Sequence, residues 1–348
     1  MADGTGDWSS EIVFYVNGKR VIAKDAQPDE FLIHYLRNSL RLTGTKLVCG
    51  EGACGACSVI LTRYDPAKNC LVHRAVNSCL YPVCACHGCA ITTVEGLGST
   101  SAMGAMQKAL ADNHGSQCGF CSPGFVTTVE AYRAQHPDAT AEELETALDG
   151  NICRCTGYRS ILQAVRSLGK CDGKGGCGCH DKAGTADVED VCAAKGFGVF
   201  RDVEALRALS QVPVKVRSAE SGVAWYAPRT LASVLRLKEC YPDARLISGN
   251  SEVGVEMRMK RVEPHTFVLV SNVPELNFAR FSDAGLVVGG AMTLTGLDEF
   301  IVAAARTLPA DKCRTFHEIH KVLQMFACHQ VRNVACVGGN LATASPTS

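Results

Sequence analysis

The stretch KLVCGEGACGACSVIL, residues 46–61, is the most informative part of this 348-residue chain. Its three cysteines follow the spacing CxxxxCxxC, and a further cysteine comes later in the sequence. This is the plant-type ligand pattern of a 2Fe-2S cluster, a group that passes one electron at a time. The pattern predicts four iron ligands: Cys49, Cys54, Cys57 and Cys79.

The glycines between these cysteines support the prediction. Gly50, Gly52 and Gly55 allow positive φ angles, so the loop is able to curl and turn its backbone N–H groups toward the sulfurs. Such donors suit a cluster whose net charge is about −2 when oxidised and about −3 when reduced. Zinc and disulfides are the alternatives. Zinc sites more often show paired CxxC or CxxH halves, and disulfides need an oxidising compartment.

Composition limits the class of protein. Lysine plus arginine equals aspartate plus glutamate at 35 each, so no basic field indicates nucleic acid. The N-terminus has no secretory signal, and no apolar run approaches the roughly 18 residues of a membrane span. We therefore expect a cytoplasmic protein without a nucleic-acid or membrane partner; a peroxisomal address stays open. In that compartment, the 20 cysteines favour metal binding over disulfides.

Residues 10–97 read as a small mixed-sheet domain. Apolar residues alternate with polar ones on both sides of Asn17-Gly18, which predicts a β-hairpin. A helix is predicted at about residues 30–40, and SVILTRY and CLVHRAV read as two strands on either side of a turn. VCACHGCAI, residues 83–91, reads as a strand of small apolar residues that buries free cysteines, rather than as a further metal site.

Residues 98–170 change to a helical pattern. Four short helices are expected, with Met103, Met106 and Leu110 on one face of the first helix and a capping box at Thr140 and Glu143. Two cysteine pairs, in QCGFCSPG and NICRCTGYR, lie at the helix junctions, where unpaired N–H groups suit an anionic cluster. From spacing alone, zinc is a fair alternative to a second 2Fe-2S cluster. The predicted ligands are Cys118, Cys121, Cys153 and Cys155.

Residues 171–211 are predicted to be an exposed linker, rich in glycine and charge. Its Cys177, Cys179 and His180 are read as surplus residues of that linker rather than as a site. Residues 212–348 alternate strands and helices and contain two glycine stretches, GNSEVG and VGGNLATASP. Neither is the GxGxxG of a Rossmann fold, so each indicates only a close backbone approach or a tight structural turn.

The motifs CGEGACGACSV, QCGFCSPG and GNICRCTGYR, in this order, resemble the two-cluster region of the molybdenum hydroxylases, the family of the xanthine dehydrogenases and aldehyde oxidases. The resemblance implies an α+β multidomain protein: a β-grasp 2Fe-2S ferredoxin domain, a four-helix 2Fe-2S bundle, and a partial α+β FAD-binding domain of the vanillyl-alcohol-oxidase type. The implied cofactors are two 2Fe-2S clusters and FAD, with molybdopterin in a region outside these residues.

The two glycine stretches resemble the family's flavin-binding stretches. By that resemblance, one stretch would cradle the FAD pyrophosphate with Leu246, Ile247, Ser248, Gly249, Asn250, Ser251, Glu252, Val253 and Gly254. The ribityl chain and flavin ring would lie by Phe326, Ala335, Gly339, Asn340 and Thr343. Cys336 stands where relatives often carry serine. Gln117 would hydrogen-bond the pterin, since the helical-domain cluster is the nearer one to molybdenum in the family.

The resemblance implies the electron-transfer portion of an oxidoreductase. Substrate would be hydroxylated at molybdenum elsewhere, and electrons would pass through both clusters to FAD and then to NAD or oxygen, so no catalytic residue is expected in this chain. The FAD domain is expected to end early, which predicts a fragment, a partial gene model or a split subunit.

Three partner and substrate expectations follow. The complete enzyme would be a homodimer with a molybdenum-cofactor domain or subunit. Likeness around VNGKRV and EGLGSTS favours the purine-hydroxylating members, which turn hypoxanthine and xanthine into urate, over the aldehyde oxidases. A non-catalytic, cysteine-rich zinc protein is the alternative outside the family.

Overall fold

The computed structural model describes residues 8–24, 26–170, 197–282 and 285–346. Cys177, Cys179 and His180 of the predicted linker lie outside these residues. Across the described ranges, none of the helices combines the length and the apolar character that crossing a membrane requires.

The first part of the chain forms a five-stranded mixed sheet. Its strands are β1 (Val13–Val16), β2 (Lys19–Ile22), β3 (Ser58–Asp65), β4 (Cys70–Asn77) and β5 (Cys89–Thr92). They lie in the order β2-β1-β5-β3-β4, with β1 and β5 parallel and the other neighbours antiparallel. The predicted hairpin is present, because Asn17 and Gly18 have φ angles of 48° and 79°, as a tight two-residue turn requires.

The helix predicted at residues 30–40 is shorter than expected and irregular. Helix α1 (Leu32–His34) continues as a π-helical turn (Tyr35–Ser39). Leu32 and Leu36 are fully buried, so the apolar stripe packs as predicted. The chain then runs through the first cysteine loop, which we define as residues 46–57, and enters β3.

The prediction of a continuous strand over residues 83–91 is wrong in its first half. Residues Val83–Cys86 form a 3₁₀ turn, and β5 begins at Cys89. Cys84, Cys86 and Cys89 are nevertheless free and buried. The expectation that they fill the core as small apolar side chains is therefore confirmed.

Four helices follow the sheet: α2 (Ala105–Asp112), α3 (Ser122–Gln135), α4 (Ala141–Thr146) and α5 (Arg159–Arg166). They share a core that includes the fully buried Met106. The predicted capping box is present, since the Glu143 N–H donates to Thr140 Oγ1 at 3.3 Å. Met103 precedes α2 and is 45% exposed, whereas Met106 and Leu110 are buried, so the expectation that all three share one face of the helix is wrong for Met103.

The last part of the chain begins with helix α6 (Val203–Ser210). A four-stranded sheet follows, built from β6 (Val214–Arg217), β7 (Ala224–Ala227), β8 (Arg245–Ile247) and β9 (Thr266–Leu269). The order is β6-β7-β9-β8; β7, β9 and β8 are parallel and β6 is antiparallel to β7. Helices α7 (Leu231–Cys240) and α8 (Val253–Met259) follow β7 and β8.

A second hairpin and four helices complete the described chain. The hairpin is β10 (Ala279–Ser282) and β11 (Gly285–Val288). The helices are α9 (Leu294–Ala305), α10 (Ala310–Met325), α11 (His329–Arg332) and α12 (Val337–Thr343).

Helix α6 corrects part of the predicted linker. It packs against β3 and β5, and its Leu206 is fully buried. Residues 203–210 are therefore a structured part of the molecule rather than exposed linker. The domain boundaries at residues 97, 170 and 211 stay predictions.

The two sheets share one apolar core. Phe14 and Leu36 of the first part lie in the same buried cluster as Trp225 and Phe267 of the last. The backbone of Ser9 also pairs with the second sheet, since its N–H donates to the Pro213 carbonyl at 2.9 Å. Ile247, from the predicted flavin stretch, belongs to this shared core.

Candidate iron–sulfur and flavin sites

The structure brings the four predicted ligands of the first cluster together. Cys49 and Cys54 lie in the first cysteine loop, Cys57 lies next to β3, and Cys79 follows β4 by two residues. Their thiols form two hydrogen-bonded pairs, Cys49 with Cys54 and Cys57 with Cys79. Cys57 and Cys79 are buried, whereas the other pair is half-buried.

One cysteine of each pair, Cys49 and Cys79, is favoured as the thiolate, whereas the hydrogen bond within the pair, followed by burial, raises the pKa of Cys54 and Cys57. Gly50, Gly52 and Gly55 have φ angles of 75°, 83° and 66°, which confirms the predicted left-handed turns. A hydrogen bond from the Cys54 thiol lowers the pKa of Cys49 to about 4; burial opposes this, and backbone N–H groups of residues 51, 53 and 54 assist it. Because iron binds the thiolate, the loop is chemically suited to a cluster.

The second set of predicted ligands is also assembled. Cys118 and Cys121 lie at the start of α3, and Cys153 and Cys155 lie between α4 and α5. The sulfurs of Cys155 and Cys118 are 3.5 Å apart, and the Cys121 thiol is hydrogen-bonded to Cys153.

The pKa values of the Cys121–Cys153 pair move in opposite directions. Burial, together with the hydrogen bond to Cys153, raises the pKa of Cys121 to about 12. Burial also acts to raise the pKa of Cys153, but hydrogen bonds from the Thr156 hydroxyl and backbone outweigh it, so the net shift is downward. Cys153 is therefore the member of this pair that ionises first.

Each set of four cysteines consists of two sulfur pairs, rather than of four sulfurs arranged around one metal ion. Among the described residues, no three His, Cys, Asp or Glu side chains converge as ligands of one metal ion. A cluster of two irons held by four cysteines needs two thiolates for each iron. The two-by-two arrangement fits that donor set better than it fits a single zinc ion, which takes four ligands at one point.

The first glycine stretch forms a tight turn between β8 and α8. Gly249 is pressed against the chain that leads into the second stretch, since a Cβ added there would lie 2.2 Å from the Val334 carbonyl oxygen. Ser248 Oγ and Asn250 Oδ1 are buried and lack a hydrogen-bond partner among the described residues. Buried polar atoms are normally satisfied, so these two indicate a place where a bound polar group belongs.

The second glycine stretch is mostly helical. Ala335 precedes α12, which contains Gly339, Asn340 and Thr343, and Phe326 follows α10. Cys336 caps α12, because the Gly339 N–H donates to its sulfur at 3.2 Å. The cysteine thus performs the capping role that a serine would perform there.

The predicted flavin stretch is bonded directly to the first cysteine site. Asn250 Nδ2 donates to the Leu80 carbonyl at 2.8 Å, next to Cys79. Arg258, on α8, donates to the carbonyl of Cys79 itself at 3.4 Å. Sequence reasoning missed both contacts, because no local pattern links residues so far apart in the chain.

A polar junction joins the last part of the chain to both cysteine regions. The fully buried Gln330 donates to Asn151 Oδ1 at 2.8 Å and to Thr128 Oγ1 at 3.1 Å. Nearby, Arg332 and Asp149 form an ion pair at 2.6 Å. Sequence reasoning also missed this junction, although it anchors α11 beside the second set of cysteines.

Gln117 lies on the surface next to Cys118. Three apolar side chains that are close in sequence to predicted ligands, Val48, Phe120 and Ile152, are 56%, 49% and 55% exposed. The pterin contact of Gln117 stays a prediction.

Three family models match the chain. A 2Fe-2S iron-sulfur cluster binding domain matches residues 14–90, a [2Fe-2S] binding domain residues 93–166, and an FAD binding domain in molybdopterin dehydrogenase residues 218–348.

Curated relatives match nearly the whole chain. Xanthine dehydrogenase/oxidase of Rattus norvegicus is 39% identical over 98% of this chain and 27% of the relative. Xanthine dehydrogenase of Drosophila pseudoobscura is 41% identical, also over 98% of this chain and 27% of the relative. Aldehyde oxidase 1 of Macaca fascicularis is 37% identical, again over 98% of this chain and 27% of the relative. The chain thus spans about a quarter of the length of these relatives.

Proposed function

The chain belongs to the molybdenum hydroxylase family, and from that membership we propose that it is the electron-transfer region of such an enzyme. The observation that carries the proposal is the pair of four-cysteine sets, each built from two sulfur pairs, with a flavin-type stretch bonded beside one of them. When bound, two 2Fe-2S clusters and FAD supply one-electron and two-electron chemistry to these sites.

We propose a ligand pattern that follows the sulfur pairs. Cys49 and Cys54 would hold one iron of the first cluster, and Cys57 and Cys79 the other. In the second set, the pairs are Cys118 with Cys155 and Cys121 with Cys153. The protein would also stabilise the thiolates and exclude water. The loop N–H groups support the first role, and the burial of Cys57 and Cys79 supports the second.

The glycine stretches would hold FAD. Ser248 Oγ, which is buried and lacks a partner among the described residues, would donate to an anionic phosphate oxygen. Asn250 Oδ1 accepts only, so it would take a hydroxyl or water of the flavin chain rather than a phosphate. Its amide nitrogen already binds Leu80, which would fix the flavin beside the first cluster.

The molybdenum-cofactor region would cover the face around Gln117. Exposed apolar side chains lie next to predicted ligands in the sequence, with Val48 beside Cys49, Phe120 beside Cys121 and Ile152 beside Cys153. Exposed apolar surface is typical of an interaction site, and two of these three residues adjoin ligands of the cluster predicted to be nearer molybdenum. We assign homodimerisation and delivery of electrons to NAD or oxygen to the complete enzyme, by analogy with the family.

The substrate proposed for the complete enzyme is a purine, with hypoxanthine and xanthine converted to urate. The support is likeness around VNGKRV and EGLGSTS, which is a matter of degree, since relatives of both branches are similar to this chain. Assaying the full-length gene product with xanthine and with an aromatic aldehyde tests this choice. Turnover of the aldehyde alone would contradict it and leave the electron-transfer role intact.

The electron-transfer role itself is tested by metal and sulfide analysis of the anaerobically purified chain. We expect about four irons and four acid-labile sulfides per chain, with a red-brown colour. A colourless protein that contains zinc and lacks sulfide would contradict the proposal.

A further inference from the structure

Arg258 lies where the flavin segment, which we define as β8, the GNSEVG stretch and α8 (residues 245–259), meets the first cysteine loop. It belongs to α8, which follows the GNSEVG stretch, yet its Nη2 donates to the carbonyl of Cys79 at 3.4 Å. The same nitrogen lies 3.2 Å from Nε2 of His34. A Cβ added to Gly50 would lie 2.6 Å from Arg258 Nη1, so the guanidinium also lies directly against the loop between Cys49 and Cys54.

The surroundings of Arg258 hold its guanidinium in place. The group lies over the ring of Phe31, 5.0 Å from the ring centroid. Its Nε is buried and has no hydrogen-bond partner among the described residues. The position of the charge is therefore set by packing and by the hydrogen bonds to residues 34 and 79.

The charge of Arg258 is also not neutralised locally. In the described part of the chain, no carboxylate lies within ion-pair distance of it. Its neighbours differ, since both Arg245 and Lys260 pair with Glu256. Arg258 thus directs an uncompensated positive charge at the cysteine site.

A positive charge in this position acts selectively on the reduced cluster. Reduction by one electron changes the net charge of a 2Fe-2S centre with four thiolates from about −2 to about −3. The more negative state gains more from a nearby cation, so the cation raises the reduction potential.

We propose that Arg258, a residue of the flavin segment, raises the reduction potential of the cluster held by Cys49, Cys54, Cys57 and Cys79. When the flavin segment packs against the first cysteine loop, it would therefore also raise the reduction potential of the cluster from which the flavin receives electrons. Gly50 permits this contact, because a side chain there would occupy the space of the guanidinium. The inference rests on the proposed function, since it requires the first cluster to be present.

The size of the effect follows from Coulomb's law. Two unit charges about 8 Å apart, at an effective dielectric constant of about 20 and with some screening by water, change an equilibrium constant roughly tenfold. For a one-electron couple, a tenfold change corresponds to about 59 mV.

The test is a redox titration of the anaerobically purified 348-residue chain, followed by electron paramagnetic resonance. We expect Arg258→Met to shift the oxidised-to-reduced ratio of the first cluster about tenfold toward the oxidised form at fixed potential. The second cluster should not move. Arg258→Lys keeps the charge and loses the guanidinium geometry, so its ratio should stay within about threefold of wild type.

Lys260→Met is the matched control, because it removes an exposed charge from the end of the same helix. An equal shift from Lys260→Met, or a tenfold shift from Arg258→Lys, would overturn the proposal. So would an unchanged cluster potential in Arg258→Met; if FAD binding were lost as well, Arg258 would be assigned to the flavin instead. If Arg258→Met does not retain the cluster, Arg258→Gln takes its place in the same titration, with the same expected shift. Absence of the first cluster from the wild-type chain would instead contradict the proposed function.

Discussion

Substituting Asp149 with alanine should open the junction between the helical region and the last part of the chain. Asp149 Oδ2 pairs with Arg332 Nη2 at 2.6 Å, and its Oδ1 accepts the His329 N–H at 2.7 Å. The substitution therefore removes both an ion pair and the bond that satisfies the first turn of α11.

The free energy of unfolding should fall by about 3 kcal/mol in Asp149→Ala. Removing one partner of a buried ion pair costs about 3–5 kcal/mol. The Arg332 side chain is 6% exposed, but Asp149 is 27% exposed and Arg332 keeps two backbone carbonyl partners, so the lower end applies. Loss of a helix-capping bond adds about 1 kcal/mol, and partial solvation of the freed arginine subtracts a similar amount. Asp149→Asn keeps the shape of the side chain without its charge, so its free energy of unfolding should lie between those of the wild type and Asp149→Ala.

The assay is urea denaturation of matched variants. Asp138→Ala is the control, because Asp138 forms an exposed ion pair with Lys170 that should contribute at most about 0.5 kcal/mol. Equal, small effects of Asp149→Ala and Asp138→Ala would refute the reasoning, since the last part of the chain would then not be anchored through Arg332.

Three further predictions concern the sites. Cys57→Ser should abolish the paramagnetic signal of the first cluster and preserve that of the second, whereas Cys70→Ser, at an exposed cysteine, should preserve both; loss of both signals from a folded Cys57→Ser protein would contradict two independent sites. Gly249→Ala should weaken FAD binding tenfold or more in a flavin-fluorescence titration, because its Cβ would lie 2.2 Å from the Val334 carbonyl oxygen, while Gly290→Ala, whose Cβ meets open space, should bind normally; equal affinities would count against the loop assignment. Burial, then the charges of Arg74 and Arg332, lower the pKa of His329 to about 3. Keeping this histidine neutral therefore contributes stability that is fully present above the unfolded pKa of about 6.5 and is lost as the pH falls toward 3. Between pH 6.5 and pH 5 that loss is about 2 kcal/mol, and His329→Phe should show a correspondingly flatter pH dependence in urea denaturation; an unchanged slope would be evidence against a buried neutral histidine.

Local features of the sequence predicted local structure well. The Asn17-Gly18 hairpin, the glycine turns of the first cysteine loop and the Thr140–Glu143 capping box depend on residues within a few positions of one another. Short-range sterics and hydrogen bonds determine these features, so a single sequence contains the information.

Other features depended on distant partners. The 3₁₀ turn at Val83–Cys86 replaces a strand, and α6 lies within the predicted linker, where Leu206 is buried against the first sheet. Met103 is exposed because α2 begins only at Ala105, so the helical periodicity does not extend to it. Tertiary packing overrides local pattern in such segments.

The candidate site divides in the same way. Spacing and resemblance identified the eight cysteines that the structure assembles into two sets, although their role as iron ligands stays a prediction. The contacts of Asn250, Arg258 and Gln330 were not predicted, because each joins residues more than a hundred positions apart. These contacts link the last part of the chain to the cysteine sites, and the sequence alone did not reveal them.

The most direct test of the electron-transfer role is a reductive titration of the anaerobically purified chain, followed by electron paramagnetic resonance with spin integration. We predict two distinguishable signals, each integrating to about one spin per chain at full reduction, because each 2Fe-2S cluster accepts a single electron. A protein that stays silent on reduction, or that shows one signal of one spin per chain with all eight cysteines intact, would contradict the account.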